Sequence, residues 1–168
     1  MGNAQPRDYN DRSDIEKILS QWKKLDGLLS RRDWSAAVVR AATATELTLN
    51  YAIRHEFRTR SQLDAAFVDS LLKWANGLAG KLDKLLLPLL MGLPRQPAVA
   101  ALSGLAREIN DRRNSIVHRG EFTDEAPAHQ IIQSCRQFVE GVVNQYDPAF
   151  SLPALGGGAR TRPPVIQP

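Results

Sequence analysis

The sequence predicts an all-α protein, built as an up-and-down bundle of about five helices. Apolar residues recur at intervals of three and four along several stretches, which is the spacing of one face of a helix. No stretch alternates convincingly between apolar and polar residues, the pattern of a half-buried strand. The chain has 168 residues, of which 43% are hydrophobic and 24% charged, and that is enough to bury a core in one domain.

Composition divides the chain into a domain and two ends. Residues 1–12 are polar and lack periodicity, so we predict a disordered N-terminus. Residues 13–147 form the predicted helical domain. Residues 148–168 include three consecutive glycines, two consecutive prolines and two arginines, which predicts a flexible basic tail.

Helix signals at the start of the domain are clear. Ser13 and Glu16 have the spacing of a capping box and begin the first helix, which is predicted to about Ser30. Asp33 can cap the second helix, predicted over residues 34–58, which has no glycine or proline.

The second helix is apolar on two sides, which places it between neighbours at the centre of the bundle. One apolar side carries a carboxylate, Glu46, and a carboxylate at such a position needs a partner.

Three further helices follow. The third is predicted over residues 62–75, with four side chains expected to point inward: Leu63, Phe67, Leu71 and Trp74. Residues 81–90 form a short helix or a bent continuation of it. The fourth helix is predicted over residues 98–119 and ended by Gly120. The fifth begins after Asp124 and runs to about residue 145.

Charge and targeting features narrow the class of protein. The net charge of +4 and the pI of about 9.5 mildly favour a polyanionic partner such as nucleic acid, although a slightly basic surface is the plainer explanation. One cysteine, Cys135, excludes an internal disulfide and fits a reducing compartment. The N-terminus has no secretory signal, and the apolar run at 85–93 is too short to span a membrane. We therefore expect a cytoplasmic protein without a membrane partner.

The end of the fourth helix carries an unusual group of polar residues. Arg113 falls within an apolar stripe, and Asn114 and His118 lie one above the other on its flank. A guanidinium on a buried face needs an anion, which could be Glu46 or a phosphate from outside. Imidazole can transfer protons near neutral pH. The alternative is a plain helical scaffold in which Arg113 and Glu46 form a structural ion pair and His118 caps the helix end.

The segment Arg113-Asn114-Ser115-Ile116-Val117-His118 resembles the Arg-x4–6-His motif of the HEPN domains (higher eukaryotes and prokaryotes nucleotide-binding), in the form with Asn after the Arg. The resemblance covers residues 14–146. It implies a helical bundle that forms homodimers, with two copies of the motif facing one cleft. Many members are similar to metal-independent endoribonucleases of toxin–antitoxin and antiviral or abortive-infection systems. Carried over by position, Arg113 and His118 would be catalytic, Asn114 would assist and Glu46 would support them.

The same resemblance implies RNA as the substrate and no metal or other cofactor. Arg112 and Arg119 flank the motif and could hold RNA phosphates, or could be solvated charges at a helix end. An antitoxin or defence-system protein is an expected partner. Family members neutralised by a nucleotidyltransferase have a Tyr two residues after the His, whereas this chain has Gly120, which lacks a hydroxyl. The alternative function is a non-catalytic HEPN module that binds nucleotide, RNA or protein.

Overall fold

The computed structural model describes residues 8–156, and its regular elements in that range are helical, which confirms the predicted all-α class. The helices are α1 (Asp14–Leu29), α2 (Trp34–Arg60), α3 (Ala65–Trp74), α4 (Gly77–Lys81), α5 (Leu87–Leu90), α6 (Gln96–Ala101), α7 (Ser103–Arg119) and α8 (Glu125–Val143). A short 3-10 helix, Tyr9–Asp11, precedes α1, and a π-helical turn, Leu82–Leu86, joins α4 to α5. Among the described residues, no helix is both long and apolar enough to cross a membrane.

Helix α2 lies at the centre of the bundle, as its two apolar sides predict. It packs against α1, α7 and α8, and also against α3 and α4. The fully buried side chains of α2 include Val38, Ala41, Leu49, Ala52 and Ile53. Because these residues point to more than one side of the helix, α2 contributes to the core along most of its length.

The helix ends follow local chemistry. The backbone N–H of Ser13 donates to Oε2 of Glu16 at 2.7 Å, and the Ser13 hydroxyl accepts from the Glu16 N–H at 3.2 Å, which completes the predicted capping box. Gly120 has φ 67° and ψ 22°, the left-handed conformation that ends α7. The predicted fourth helix is two helices in the structure, because a turn at Leu102 separates α6 from α7.

The third helix presents its apolar residues differently from the prediction. Leu63, Phe67 and Trp74 were expected in the core, but they are 45%, 49% and 65% exposed. The buried side of α3 is formed by Val68 and Leu72, and of the four predicted residues Leu71 packs against the core. A short helix with apolar residues around most of its circumference can bury only one side, and periodicity alone does not identify which side that is.

Both predicted flexible ends contain ordered segments. Residues 148–156 were assigned to the tail, yet Leu152 is only 4% exposed and the Trp22 indole donates to the carbonyl of Pro153 at 2.9 Å. At the other end, Gln21 donates to the Tyr9 hydroxyl at 2.8 Å. The ordered domain is therefore longer than 13–147. The remaining parts of these two predictions, residues 1–7 and 157–168, lie outside the described residues.

Candidate active site

The last turns of α7 bring together the three residues that the motif singles out. Ala106 and Ile109 are fully buried and hold the helix against the core. Four residues after Ile109, Nη1 of Arg113 donates to Oδ1 of Asn114 at 3.0 Å. The same Nη1 atom lies 3.0 Å from Nε2 of His118. Arg113, Asn114 and His118 therefore form one hydrogen-bonded cluster.

The contact between Arg113 and His118 defines the hydrogen-bonding role of the imidazole. A guanidinium has only donors, so Nε2 of His118 must be the acceptor in this contact. An imidazole that accepts at Nε2 carries its proton on Nδ1. An anionic ligand that drew the Arg113 guanidinium away would leave the Nε2 lone pair free to accept a proton.

The cluster lines a cleft of about 420 Å³ between α2, α4 and α7. Its other lining residues are Ala42, Glu46, Asn76, Gly77, Leu78, Ala79, Gly80 and Asn110. One wall requires glycine, because a Cβ atom on Gly80 would lie 1.8 Å from the carbonyl oxygen of Ala75. The cleft thus combines a cation, an imidazole, a carboxylate and carboxamides in one concave space.

Glu46 lies in this cleft but does not have the partner that the sequence suggested. Its Oε1 atom accepts from Nζ of Lys81 at 2.6 Å. Among the ion pairs of residues 8–156, none joins Glu46 to Arg113. The scaffold alternative, with its structural Arg113–Glu46 pair, is wrong in this respect. Arg113 is only partly buried and faces the open cleft, so it does not need a carboxylate within the chain.

The physical reason for this pairing is the burial of Lys81, which is only 7% exposed. A buried ammonium needs an anion more than a partly exposed guanidinium does. The sequence carried a signal for it, because Lys81 stands in helical register with Leu78, Leu82 and Leu85. Two charged residues at apolar positions, Glu46 and Lys81, are therefore partners of one another.

Arg112 and Arg119 do not line the 420 Å³ cleft. Arg112 donates to the carbonyl of Phe122 at 3.1 Å, and both arginines lie within 3.7 Å of the Glu121 carboxylate. Arg119 also hydrogen-bonds to the Ser115 hydroxyl, and it borders a separate depression together with Asp111, Asn114 and His118. Arg119 is thus a neighbour of the site, whereas Arg112 lies towards α8.

Comparison with known proteins gave no match: no family model matches the chain, no curated protein matches it, and no solved structure matches it. Within residues 8–156 there is no group of three or more His, Cys, Asp or Glu side chains that could hold a metal ion. The residues and geometry of the cleft are therefore the basis for a proposed function.

Proposed function

We propose that this protein is a metal-independent endoribonuclease of the HEPN type. The observation that carries the proposal is the cluster of Arg113, Asn114 and His118, joined by two 3.0 Å contacts at the edge of one cleft. The cluster unites a phosphate-binding fork with a group that can accept a proton. Glu46, from α2, lines the same cleft and can support them.

RNA brings its own nucleophile, the 2′-hydroxyl next to the scissile phosphate. In the proposed reaction, Nε2 of His118 takes the proton of that hydroxyl, and the 2′-oxygen attacks phosphorus. The bond from phosphorus to the 5′-oxygen breaks, and the leaving oxygen takes a proton from a general acid. The products are a 2′,3′-cyclic phosphate and a 5′-hydroxyl. Arg113 would stabilise the additional negative charge of the phosphorane. Asn114 would orient the Arg113 guanidinium.

The reaction needs a second proton-transfer group besides His118. Two sources are compatible with the cleft. Glu46 is one, because it lines the same space in the same chain. The partner subunit's His118 is the other, if two copies of the cleft face each other in a homodimer. Two variants separate these sources. If Glu46 is the second group, Glu46→Gln should abolish cleavage. If the partner subunit's His118 is the second group, Glu46→Gln should still cleave, and an excess of His118→Ala chains should inhibit the wild type, because a mixed dimer has only one His118.

The cellular role that best suits such an enzyme is that of a toxin or an antiviral, abortive-infection effector in the cytoplasm, held in check by an antitoxin or defence-system protein. An uncontrolled ribonuclease arrests its own host, so growth arrest on expression is the expected phenotype. It should disappear with Arg113→Ala and with His118→Ala.

The direct test is incubation of RNA with purified protein in EDTA, followed by analysis of the fragment ends. The wild type should produce 2′,3′-cyclic phosphate ends, and His118→Ala should lose at least about 100-fold of the cleavage rate. His129→Ala is the matched control, since His129 lies exposed on α8. Equal cleavage by His118→Ala and wild type would refute the proposal. Tight RNA binding without any cleavage would favour the non-catalytic module.

A further inference from the structure

A second concavity adjoins the candidate cleft. It has a volume of about 370 Å³ and is lined by Asn50, Arg54, Asp69, Leu72, Lys73, Asn76 and Lys81. Asn76 lines both spaces. The Lys81–Glu46 ion pair connects them, because Lys81 lines the second and Glu46 lines the first. An extended ligand that occupies the candidate cleft could therefore continue past Asn76 into this second space.

The second concavity offers two ammonium groups to an anion. Lys81 is 7% exposed and has three N–H donors, of which one is used in the hydrogen bond to Glu46. The Lys73 ammonium is exposed, and no ion pair of residues 8–156 includes it. Arg54, in contrast, donates from all three of its nitrogen atoms to Asp14 and Asp69. Lys81 and Lys73 are thus the groups with donors available for a phosphate.

The same space contains an acceptor that lacks a donor. Oδ1 of Asn50 is buried, and within the described part of the chain it has no hydrogen-bond partner. A buried polar atom without a partner costs free energy, so such atoms are uncommon in folded proteins. Because Asn50 lines the concavity while its Oδ1 atom is buried, an N–H group from a ligand would satisfy this atom after rotation of the Asn50 side chain. Nucleobases present N–H groups at their edges, next to a phosphate on the same nucleotide.

We propose that the second concavity is a nucleotide subsite, which holds the nucleotide adjoining the one that is cleaved. Its phosphate binds Lys81 and Lys73, and an N–H of its base donates to Oδ1 of Asn50. The volume of about 370 Å³ lies at the small end of the range for ligand pockets, which suits a single nucleotide. The assignment of the ligand as RNA rests on the proposed function.

The test compares a dinucleotide with a trinucleotide, both 2′-O-methylated so that neither can be cleaved. The dinucleotide has one phosphate and fills the candidate cleft, whereas the trinucleotide also reaches the subsite. Wild-type protein should bind the trinucleotide about tenfold more tightly. The dependence of log Kd on log salt should be steeper by about 0.7 for the trinucleotide, the value for one additional phosphate on a single strand.

Three variants test the residues of the subsite. Asn50→Leu and Lys81→Met should each remove most of the tenfold advantage of the trinucleotide, and Lys81→Met should also remove the difference in salt dependence. The double variant Lys81→Met/Glu46→Gln should also remove the trinucleotide advantage and the difference in salt dependence. It removes both members of the ion pair, so neither charge is left without a partner. Lys84→Met is the matched control, because Lys84 lies over the Trp74 ring at 5.3 Å, outside both spaces.

The results separate failure of the subsite from failure of the proposed function. The subsite proposal is wrong if the wild type cleaves RNA but binds both oligonucleotides equally. It is also wrong if Asn50→Leu and Lys81→Met keep the trinucleotide advantage. In both cases the ribonuclease proposal stands. If the wild type neither cleaves RNA nor binds either oligonucleotide, both are wrong. Removal of an unpartnered buried acceptor should not lower stability, so a loss of binding by Asn50→Leu cannot be attributed to misfolding.

Discussion

Arg95 donates to both carboxylate oxygens of Glu56, with Nε 2.6 Å from Oε1 and Nη2 2.9 Å from Oε2. Glu56 is 0% exposed, and the Tyr146 hydroxyl donates to its Oε1 atom at 2.8 Å. The guanidinium of Arg95 also lies 5.2 Å from the centre of the Tyr146 ring. A buried carboxylate of α2 therefore holds the start of α6 and the turn after α8 against the centre of the bundle.

The first prediction concerns the removal of the principal counter-ion of Glu56. Arg95→Met should lower the free energy of unfolding by about 3 kcal/mol, because it leaves the buried carboxylate with only Arg60, at 3.4 Å, as a cation. Arg107→Met is the control. Its ion pair with Asp83 lies at the surface, where such pairs contribute less than about 1 kcal/mol. Urea denaturation of the three proteins measures both changes, and equal values for the two variants would contradict the role given to Arg95.

The second prediction is the pH dependence of that loss. Burial raises the pKa of Glu56, but hydrogen bonds from Arg95 and Tyr146 outweigh it, so the pKa lies below the ordinary 4.5. A carboxylate whose pKa is lower in the folded state stabilises the fold above the unfolded pKa, and this stability is lost as pH falls through the folded pKa.

Wild-type stability should therefore decline as pH falls below about 4.5, and the decline should be shallower in Arg95→Met, which has lost the main lowering interaction. Urea midpoints measured at pH 7, 5, 4 and 3 would show the two proteins converging at acid pH. A constant difference across that range would show that Arg95 does not act through the charge of Glu56.

Much of the fold was predictable because helix signals are local. The Ser13 capping box, the two apolar sides of α2 and the glycine that ends α7 depend on residues a few positions apart. The cluster of Arg113, Asn114 and His118 was equally predictable from the sequence, because residues four and five apart at a helix end lie close in space.

Pairing between helices was not predictable in the same way. The sequence shows that Glu46 needs a partner, but it does not show which distant cation approaches it. Arg113 and Lys81 both satisfied the requirement of charge, and the burial of Lys81 decided between them. Glu56 was overlooked although it continues the apolar register of Thr45, Leu49 and Ala52 on α2.

The third prediction uses the unequal burial of Lys81 and Glu46, whose side chains are 9% and 37% exposed. Glu46→Gln should lower the free energy of unfolding by about 2 kcal/mol, because it leaves a buried ammonium without its anion. Lys81→Met should cost less than about 1 kcal/mol, since water can hydrate the partly exposed carboxylate and methionine fills a similar volume. Thermal and urea unfolding would test the order, and a greater loss for Lys81→Met would reverse the interpretation.

The fourth prediction concerns the ordered part of the C-terminal segment. Leu152 is 4% exposed, and Arg136 donates to its carbonyl at 2.8 Å. Leu152→Ala should lower the free energy of unfolding by about 2 to 3 kcal/mol through loss of buried apolar volume. Met91→Ala is the control, because Met91 is 73% exposed and little should change. If the free energy of unfolding of Leu152→Ala equals that of the wild type, this segment does not stabilise the domain, as expected for a flexible tail.

The fifth prediction separates catalysis from binding at Arg113. Its guanidinium contacts both Asn114 and His118, and it has enough donors to clamp a phosphate at two points. Lysine keeps the charge but not the planar fork. Arg113→Lys should therefore reduce the rate of RNA cleavage about 100-fold, whereas the Kd for 2′-O-methylated RNA should change less than about threefold.

Single-turnover cleavage and equilibrium binding measure these two quantities independently. Arg107→Lys is the matched control, since it lies on the same helix, is exposed and pairs with Asp83. An equal loss of rate and affinity in Arg113→Lys would make Arg113 a binding residue only. An unchanged rate would mean that charge alone is sufficient, so that stabilisation of the phosphorane does not depend on the fork that Asn114 orients.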